Sequence, residues 1–335
     1  MFDTRNAEVI LRTAFSHGVT YWDTAAGYER MGSETGIGTF FEKHPEVRKE
    51  IFLVTKGRGD FAKSLDGSLS RLKTDHVELF FVHGIDSIGA IDRPEVKAFA
   101  EKAKKEGKIK FFGFSSHSNM AQCLSGGAKL GWIDGAMITY NYREMHEPEM
   151  KAALDACEKA GIGVTAMKTI GVRSGSDTAE QAALLAPIAA RGFSPAQAKL
   201  KTVMENPQIA CACVQMPNMK FCRENIAVAL DRKELGSVVR NALDRHAEAT
   251  CNGYCAGCGH LCGTAVAGVV PVRDVMRHLM YYHNYAELDA RAMFAELPAD
   301  QRARLTQVDY AAAERVCPHR LPIGQLMREA SMVLA

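Results

Sequence analysis

The sequence predicts an α/β fold: a TIM-type (β/α) barrel lacking its first strand, followed by a small α-rich, cysteine-containing C-terminal domain. Three observations predict it. From residue 5 to about 225, short β-rich runs alternate with longer amphipathic stretches. Glycines close those stretches just before the next run, at Gly18, Gly107, Gly131 and Gly161, where a helix C-cap belongs. Beyond about residue 235 the strand signal stops and cysteines punctuate helical sequence. The expected division is residues 1–235 for the barrel and 236–335 for the second domain.

The strand runs are Thr20-Tyr21-Trp22, Ile51-Phe52-Leu53-Val54, Leu79-Phe80-Phe81-Val82, Ile109-Lys110-Phe111-Phe112, Ala136-Met137-Ile138, Val164-Thr165-Ala166-Met167 and Ala212-Cys213-Val214. Most are continuously apolar, as strands covered on both faces are. Helical stretches such as Ala7–Arg12, Pro94–Phe99 and Glu149–Leu154 separate them. An open doubly wound sheet is the rival, but no G-x-G-x-x-G follows the first run. The runs number seven where a TIM barrel has eight, and the chain opens on a helix. Either the first strand lies outside this sequence or a C-terminal segment takes its place. In the second domain, 273–297 and 321–334 read as helices bounded by Pro298 and Pro322.

Composition narrows the function. The 335 residues are 47% hydrophobic, enough for one large core and an appendage, and 41 basic against 39 acidic side chains leave a formal charge of +2. No basic run suggests a nucleic-acid surface. No apolar stretch reaches the roughly 18 to 20 residues of a membrane helix, and the start resembles no signal peptide. A cytoplasmic location is expected, unless an export signal preceded this start. Ten cysteines could form a disulfide scaffold, but five fall between Cys251 and Cys317, which favours metal binding.

Four polar residues stand at or just beyond the ends of the first three strand runs: Asp23, Tyr28, Lys56 and His83. Singly each has a structural explanation: Asp23 a helix cap, Tyr28 a core aromatic, Lys56 a loop lysine, His83 a satisfied core histidine. In a (β/α) barrel, however, strand C-terminal ends share one cleft.

The run Asp23-Thr24-Ala25-Ala26-Gly27-Tyr28, with Gly32-Ser33-Glu34 and Gly36-Ile37-Gly38, resembles the aldo-keto reductase signature. Val54-Thr55-Lys56, Val82-His83 and Gly113-Phe114-Ser115-Ser116-His117 resemble the family's later motifs, in order. The resemblance covers residues 5 to about 230. It implies hydride transfer between a nicotinamide cofactor, NADP(H) or NAD(H), and an aldehyde or ketone. Tyr28 would be the acid, Lys56 the cation that eases its ionisation, Asp23 the anion that keeps Lys56 charged, and His83 a hydrogen-bond donor to the substrate oxygen. It also implies cofactor contacts from Asp23, Ser115, Ser116 and Lys220, while Met137 stands where the family usually has a glutamine.

The segment Cys251-Asn252-Gly253-Tyr254-Cys255-Ala256-Gly257-Cys258-Gly259-His260-Leu261-Cys262, with the distant Cys317-Pro318, can hold an iron–sulfur cluster or zinc. It resembles the aldo-keto reductases that carry a C-terminal ferredoxin-like domain. That resemblance implies one 4Fe-4S cluster on Cys255, Cys258, Cys262 and Cys317, with Cys251 as a competing ligand. A zinc site and a vestigial metal-free domain are the alternatives. Cys123, Cys157, Cys211, Cys213 and Cys222 read as core fillers, His260 as a spacer, and Tyr281, Tyr282 and Tyr285 as helix packing.

The expected function is a nicotinamide-dependent carbonyl reductase or alcohol dehydrogenase acting on a small molecule, with an electron-transfer partner if the cluster relays electrons. The alternatives are a non-catalytic, cofactor-binding redox sensor or interaction protein, and an inactive fragment. Lys56 beside Tyr28 favours the enzyme, since a binding module has no use for that pair.

Overall fold

The structure, a computed structural model, describes residues 4–28, 32–173, 176–284 and 287–335. Its seven strands are β1 (Tyr21–Asp23), β2 (Phe52–Gly57), β3 (Val77–Ile85), β4 (Ile109–Ser116), β5 (Gly135–Thr139), β6 (Gly163–Met167) and β7 (Cys211–Ala212). They form one sheet in the order β1 to β7, and every neighbouring pair is parallel. Helices cover its outside, and the sheet curls into a nearly closed barrel whose edges are β1 and β7. Inside, the Tyr21 hydroxyl meets that of Thr165 on β6 at 3.0 Å.

Each strand is buried twice over, which explains its unbroken apolar run. Leu53, Phe80 and Phe112 point outward into the core beneath the helices, while Val54, Leu79, Phe81, Met137 and Met167 pack inside the barrel. Six of the strand runs are realised, and the seventh is displaced, since β7 shares only Ala212 with the expected Ala212-Cys213-Val214. β2, β3 and β4 extend further than their apolar runs, through Lys56, His83 and Ser116. The hydrophobic signal stops where the polar floor of the barrel mouth begins.

The expected caps are present: Gly18, Gly107, Gly131 and Gly161 all take positive φ, and Gly131 at φ 69° ends the helix Met120–Leu130. Within the stretch expected as a helix over 273–297, Val272–Asn284 and Glu287–Ala295 are helical; the other expected helix is Ile323–Val333. Their core runs from Val266 to Leu334 and includes Val275, Leu279, Phe294 and Met327. The helix Gly236–Ala249 instead sets Val239 and Leu243 against Leu185, Ile188 and Tyr142, on the barrel side. Among the described residues, no helix is long and apolar enough to cross a membrane.

Candidate active site

The four candidate residues converge. Asp23 ends β1, Lys56 lies near the end of β2, and Tyr28 follows in the loop after β1. The Lys56 ammonium, buried to 1% exposure, donates to both Asp23 carboxylate oxygens at 2.6 Å, to the Thr24 carbonyl at 2.9 Å and to the Tyr28 hydroxyl at 3.2 Å. His83 presents its ring edge-on to Tyr28, centroids 5.8 Å apart.

Local structure aims each group. His83 and Gly84 lie where the β3–β4 register shifts, with Gly84 at φ 72°, and such bulges redirect a side chain. The Ser115 hydroxyl pins this bulge by accepting from the Gly84 N–H at 2.9 Å, and Arg58 donates to the His83 carbonyl at 2.9 Å. Beneath the other three, Thr24 and Ser33 share a hydrogen bond of 2.8 Å. The fully buried Glu34 accepts from Thr55 at 2.5 Å and from Arg71 at 2.7 Å. Gly38 lets its helix cross the next one closely, since a Cβ there would lie 2.1 Å from the Arg71 carbonyl oxygen.

The charges support one another. Burial would strip Lys56 of its proton, but Asp23 and then Tyr28 outweigh it and hold the ammonium above its ordinary range. Burial raises Asp23 although Lys56 opposes the shift. Burial also raises Tyr28 against the pull of Lys56, so the phenol stays protonated. His83 is pushed down to about 3 by burial and then by Lys56, Arg58 and Arg277, which keeps its imidazole neutral.

The expected cofactor contacts lie at the same end of the barrel but are engaged within the fold. Ser115 holds the bulge, and the Ser116 hydroxyl is shared between the carbonyls of Ile85 and Ser118. Lys220, exposed, pairs with Glu224 at 2.7 Å in the first turns of the helix Met219–Leu230. Met137 is buried inside the barrel. Cys123, Cys157 and Cys222 are buried, while Cys211 and Cys213 are only partly so, and Cys213 packs against the inner cluster. Its hydrogen bond with Cys211, and then burial, hold the Cys213 thiol well above its ordinary range.

Cys255, Cys258, Cys262 and Cys317 line one small cavity of about 20 Å³, and Cys251 is not among its lining residues. Burial raises three of these thiols, Cys255 to about 12 and Cys258 to about 11, and the neighbouring sulfurs add to the rise. Among the described residues, no three His, Cys, Asp or Glu side chains converge as ligands of a single ion. His260 bonds Asn119 at 2.9 Å and so ties the cysteine segment to the barrel. Tyr281 and Tyr282 pack against the C-terminal core as expected, and Tyr285 lies outside the described residues. Tyr281 also carries the Lys168 ammonium 4.5 Å from its ring centroid.

Sequence reasoning missed a buried network joining the two parts of the chain. Tyr254 donates to Glu144 and accepts from Asn141 at 2.9 Å; Arg143 reaches Thr250 at 2.8 Å and the Gly171 carbonyl at 3.1 Å. It missed Lys168 too, although that lysine follows β6 directly and so obeys the rule that found Lys56.

Residues 1–238 match the profile of the Aldo/keto reductase family. The chain is 28% identical to aldo-keto reductase yakc, named with NADP(+), of Schizosaccharomyces pombe, over 49% of this chain and 52% of that one. It is 23% identical to L-galactose dehydrogenase of Arabidopsis thaliana over 69% of this chain and 80% of that one. The chain thus spans about half the length of the first relative. Its fold resembles an aldo/keto reductase from Klebsiella pneumoniae in complex with NADP and acetate, with TM-score 0.58, 22% identity, 72% of this chain and 85% of that one. It also resembles the thermostable aldo-keto reductase Tm1743 bound to epalrestat, with TM-score 0.59, 23% identity, 72% and 88% covered.

Replacing Lys56 by Met leaves the Asp23 carboxylate buried without its cation. We expect a loss of about 3–5 kcal/mol in urea denaturation, and recovery of most of it when Asp23→Asn is added. An unchanged midpoint for the single variant would mean that the pair does not hold the barrel mouth.

Proposed function

Because this chain belongs to the aldo/keto reductase family, we propose that it is a nicotinamide-dependent oxidoreductase that reduces an aldehyde or ketone to an alcohol, or runs the reverse. The observation that carries this reading is the Lys56 ammonium bridging the Asp23 carboxylate and the Tyr28 hydroxyl. Reduced nicotinamide supplies the hydride when it is bound. NADP(H) is the favoured cofactor, since NADP appears with one relative and with one structural neighbour. Ser115, Ser116, Asp23 and Lys220 are the residues we assign to it, the serines by exchanging their backbone partners.

The residues divide the chemistry. Tyr28 donates a hydrogen bond to the carbonyl oxygen and then its proton as negative charge grows there. The phenolate left behind lies beside Lys56, whose charge Asp23 maintains, so ionisation costs less than it would for an isolated buried tyrosine. His83, neutral, offers an N–H to the same oxygen without competing as an acid.

The four thiols around one cavity support a 4Fe-4S cluster on Cys255, Cys258, Cys262 and Cys317. Zinc on the same thiolates is the alternative. The cluster would staple the helical part or relay electrons to a partner. Cys251, which does not line the cavity, is the competing ligand.

Tyr28→Phe is expected to lower kcat by at least about a hundredfold while NADPH quenching of protein fluorescence is retained; near-normal turnover would refute the acid assignment. With His83 neutral above about 3 and Tyr28 raised above its ordinary value, reduction should be flat between pH 5 and 8. At saturating cofactor and carbonyl it should then fall as pH rises past about 10, where Tyr28 loses its proton; an inflection near 6.5 would put a titrating histidine in the step. Protein purified anaerobically should be brown and carry iron and sulfide, and colourless zinc-loaded protein would replace the cluster with the zinc alternative.

A further inference from the structure

Between the barrel mouth and the helix Val272–Asn284 lies a narrow cleft of about 40 Å³, room for one small polar group of a ligand rather than a whole one. His117, Thr139 and Lys168, just past β4 and β6 or at the end of β5, form one wall; Arg273 and Arg277 of the helix form the other. None of the lining residues is acidic. Two carboxylates outside the lining pair with its arginines: Asp274 is divided between Arg273 at 3.0 Å and Arg277 at 3.3 Å, and Asp86 takes a second nitrogen of Arg273 at 3.2 Å. Nε of Arg277 is buried without a hydrogen-bond partner.

Carboxylates pair with both arginines, and the Lys168 ammonium lies 4.5 Å from the Tyr281 ring centroid, yet no acidic residue lines the cleft itself. Burial and then Arg277 pull Lys168 down to about 8, and burial, Lys168 and Arg277 keep His117 well below its usual range. Crowded cations in a partly dry cleft are the complement of an oxyanion, which charge-assisted N–H groups bind strongly. The loop carrying Gly257 closes the cleft against β4, where the Asn119 N–H donates to the Gly257 carbonyl at 3.1 Å.

We propose that this cleft is an oxyanion subsite in which Arg277 and Lys168 hold a phosphate or carboxylate group of a ligand bound at the barrel mouth. The inference rests on the oxidoreductase reading for where the ligand reacts, but not for the binding itself. Two sources share this chemistry: the diphosphate of the cofactor, and an acid group on the carbonyl substrate. In either case a helix of the C-terminal part completes a site that the barrel begins.

The test uses the full chain and the variants Arg277→Gln and Lys168→Met, each checked by circular dichroism and melting temperature. Inorganic pyrophosphate, titrated calorimetrically, should bind the wild type and lose about tenfold or more in affinity for each variant. If the cofactor is the source, NADPH affinity falls by a similar factor and pyrophosphate competes with NADPH. If the substrate is the source, NADPH binding is unchanged, while KM rises about tenfold for 4-carboxybenzaldehyde and stays level for benzaldehyde. Wild-type behaviour of both folded variants in all three measurements overturns the proposal. Absence of turnover with any carbonyl would count against the oxidoreductase reading and leave the pyrophosphate result to stand by itself.

Discussion

One buried cation organises the barrel mouth. An ammonium has three protons to place and no water to take them, and Lys56 directs them at Asp23, Thr24 and Tyr28. Everything close by serves that enclosure. The β1–β2 register sets Asp23 opposite Val54, two residues before Lys56, while Ser33 and Glu34 brace Thr24 and Thr55 from the following helix. The short motif that begins at the end of β1 thus supplies the Tyr28 phenol, the counter-ion and the scaffolding that keeps both in register.

The C-terminal part is more than an appendage. Its first segment is bonded to the barrel through Tyr254, Glu144, Asn141 and Arg143, a group buried deeply enough that Glu144 is raised to about 8. Alongside, the Tyr142 hydroxyl meets His246, which in turn meets Asp177 at 2.8 Å. Buried polar networks of this kind, even with one Glu144 oxygen left without a partner, help to fix relative orientation. They hold the cysteine loop and the helix Val272–Asn284 over the mouth.

The strands and the four site residues were legible because a barrel writes both in one dimension: an apolar run, then a polar residue at its end. Long-range partnerships are not written that way. Tyr254 and Glu144 lie 110 residues apart, and neither has neighbours that announce the other. Ser115 and Ser116 can be placed at the end of β4 from the apolar run before them, but their bonds to β3 depend on a register shift that no periodicity displays. Arg277 was hidden for a simpler reason. On a helix rich in charge, nothing local separates a side chain aimed at the barrel from one aimed at solvent.

Cys255, Ala256, Arg273 and Met276 line both the thiol cavity and the cationic cleft. A partition common to two chambers cannot shift for the contents of one without altering the fit of the other. By thermodynamic reciprocity, whatever occupancy on the sulfur side does to affinity on the cationic side is returned in equal measure. The oxidation level of anything seated among the thiols would then be felt as a change in grip on the neighbouring ligand, with no messenger beyond a single turn of chain.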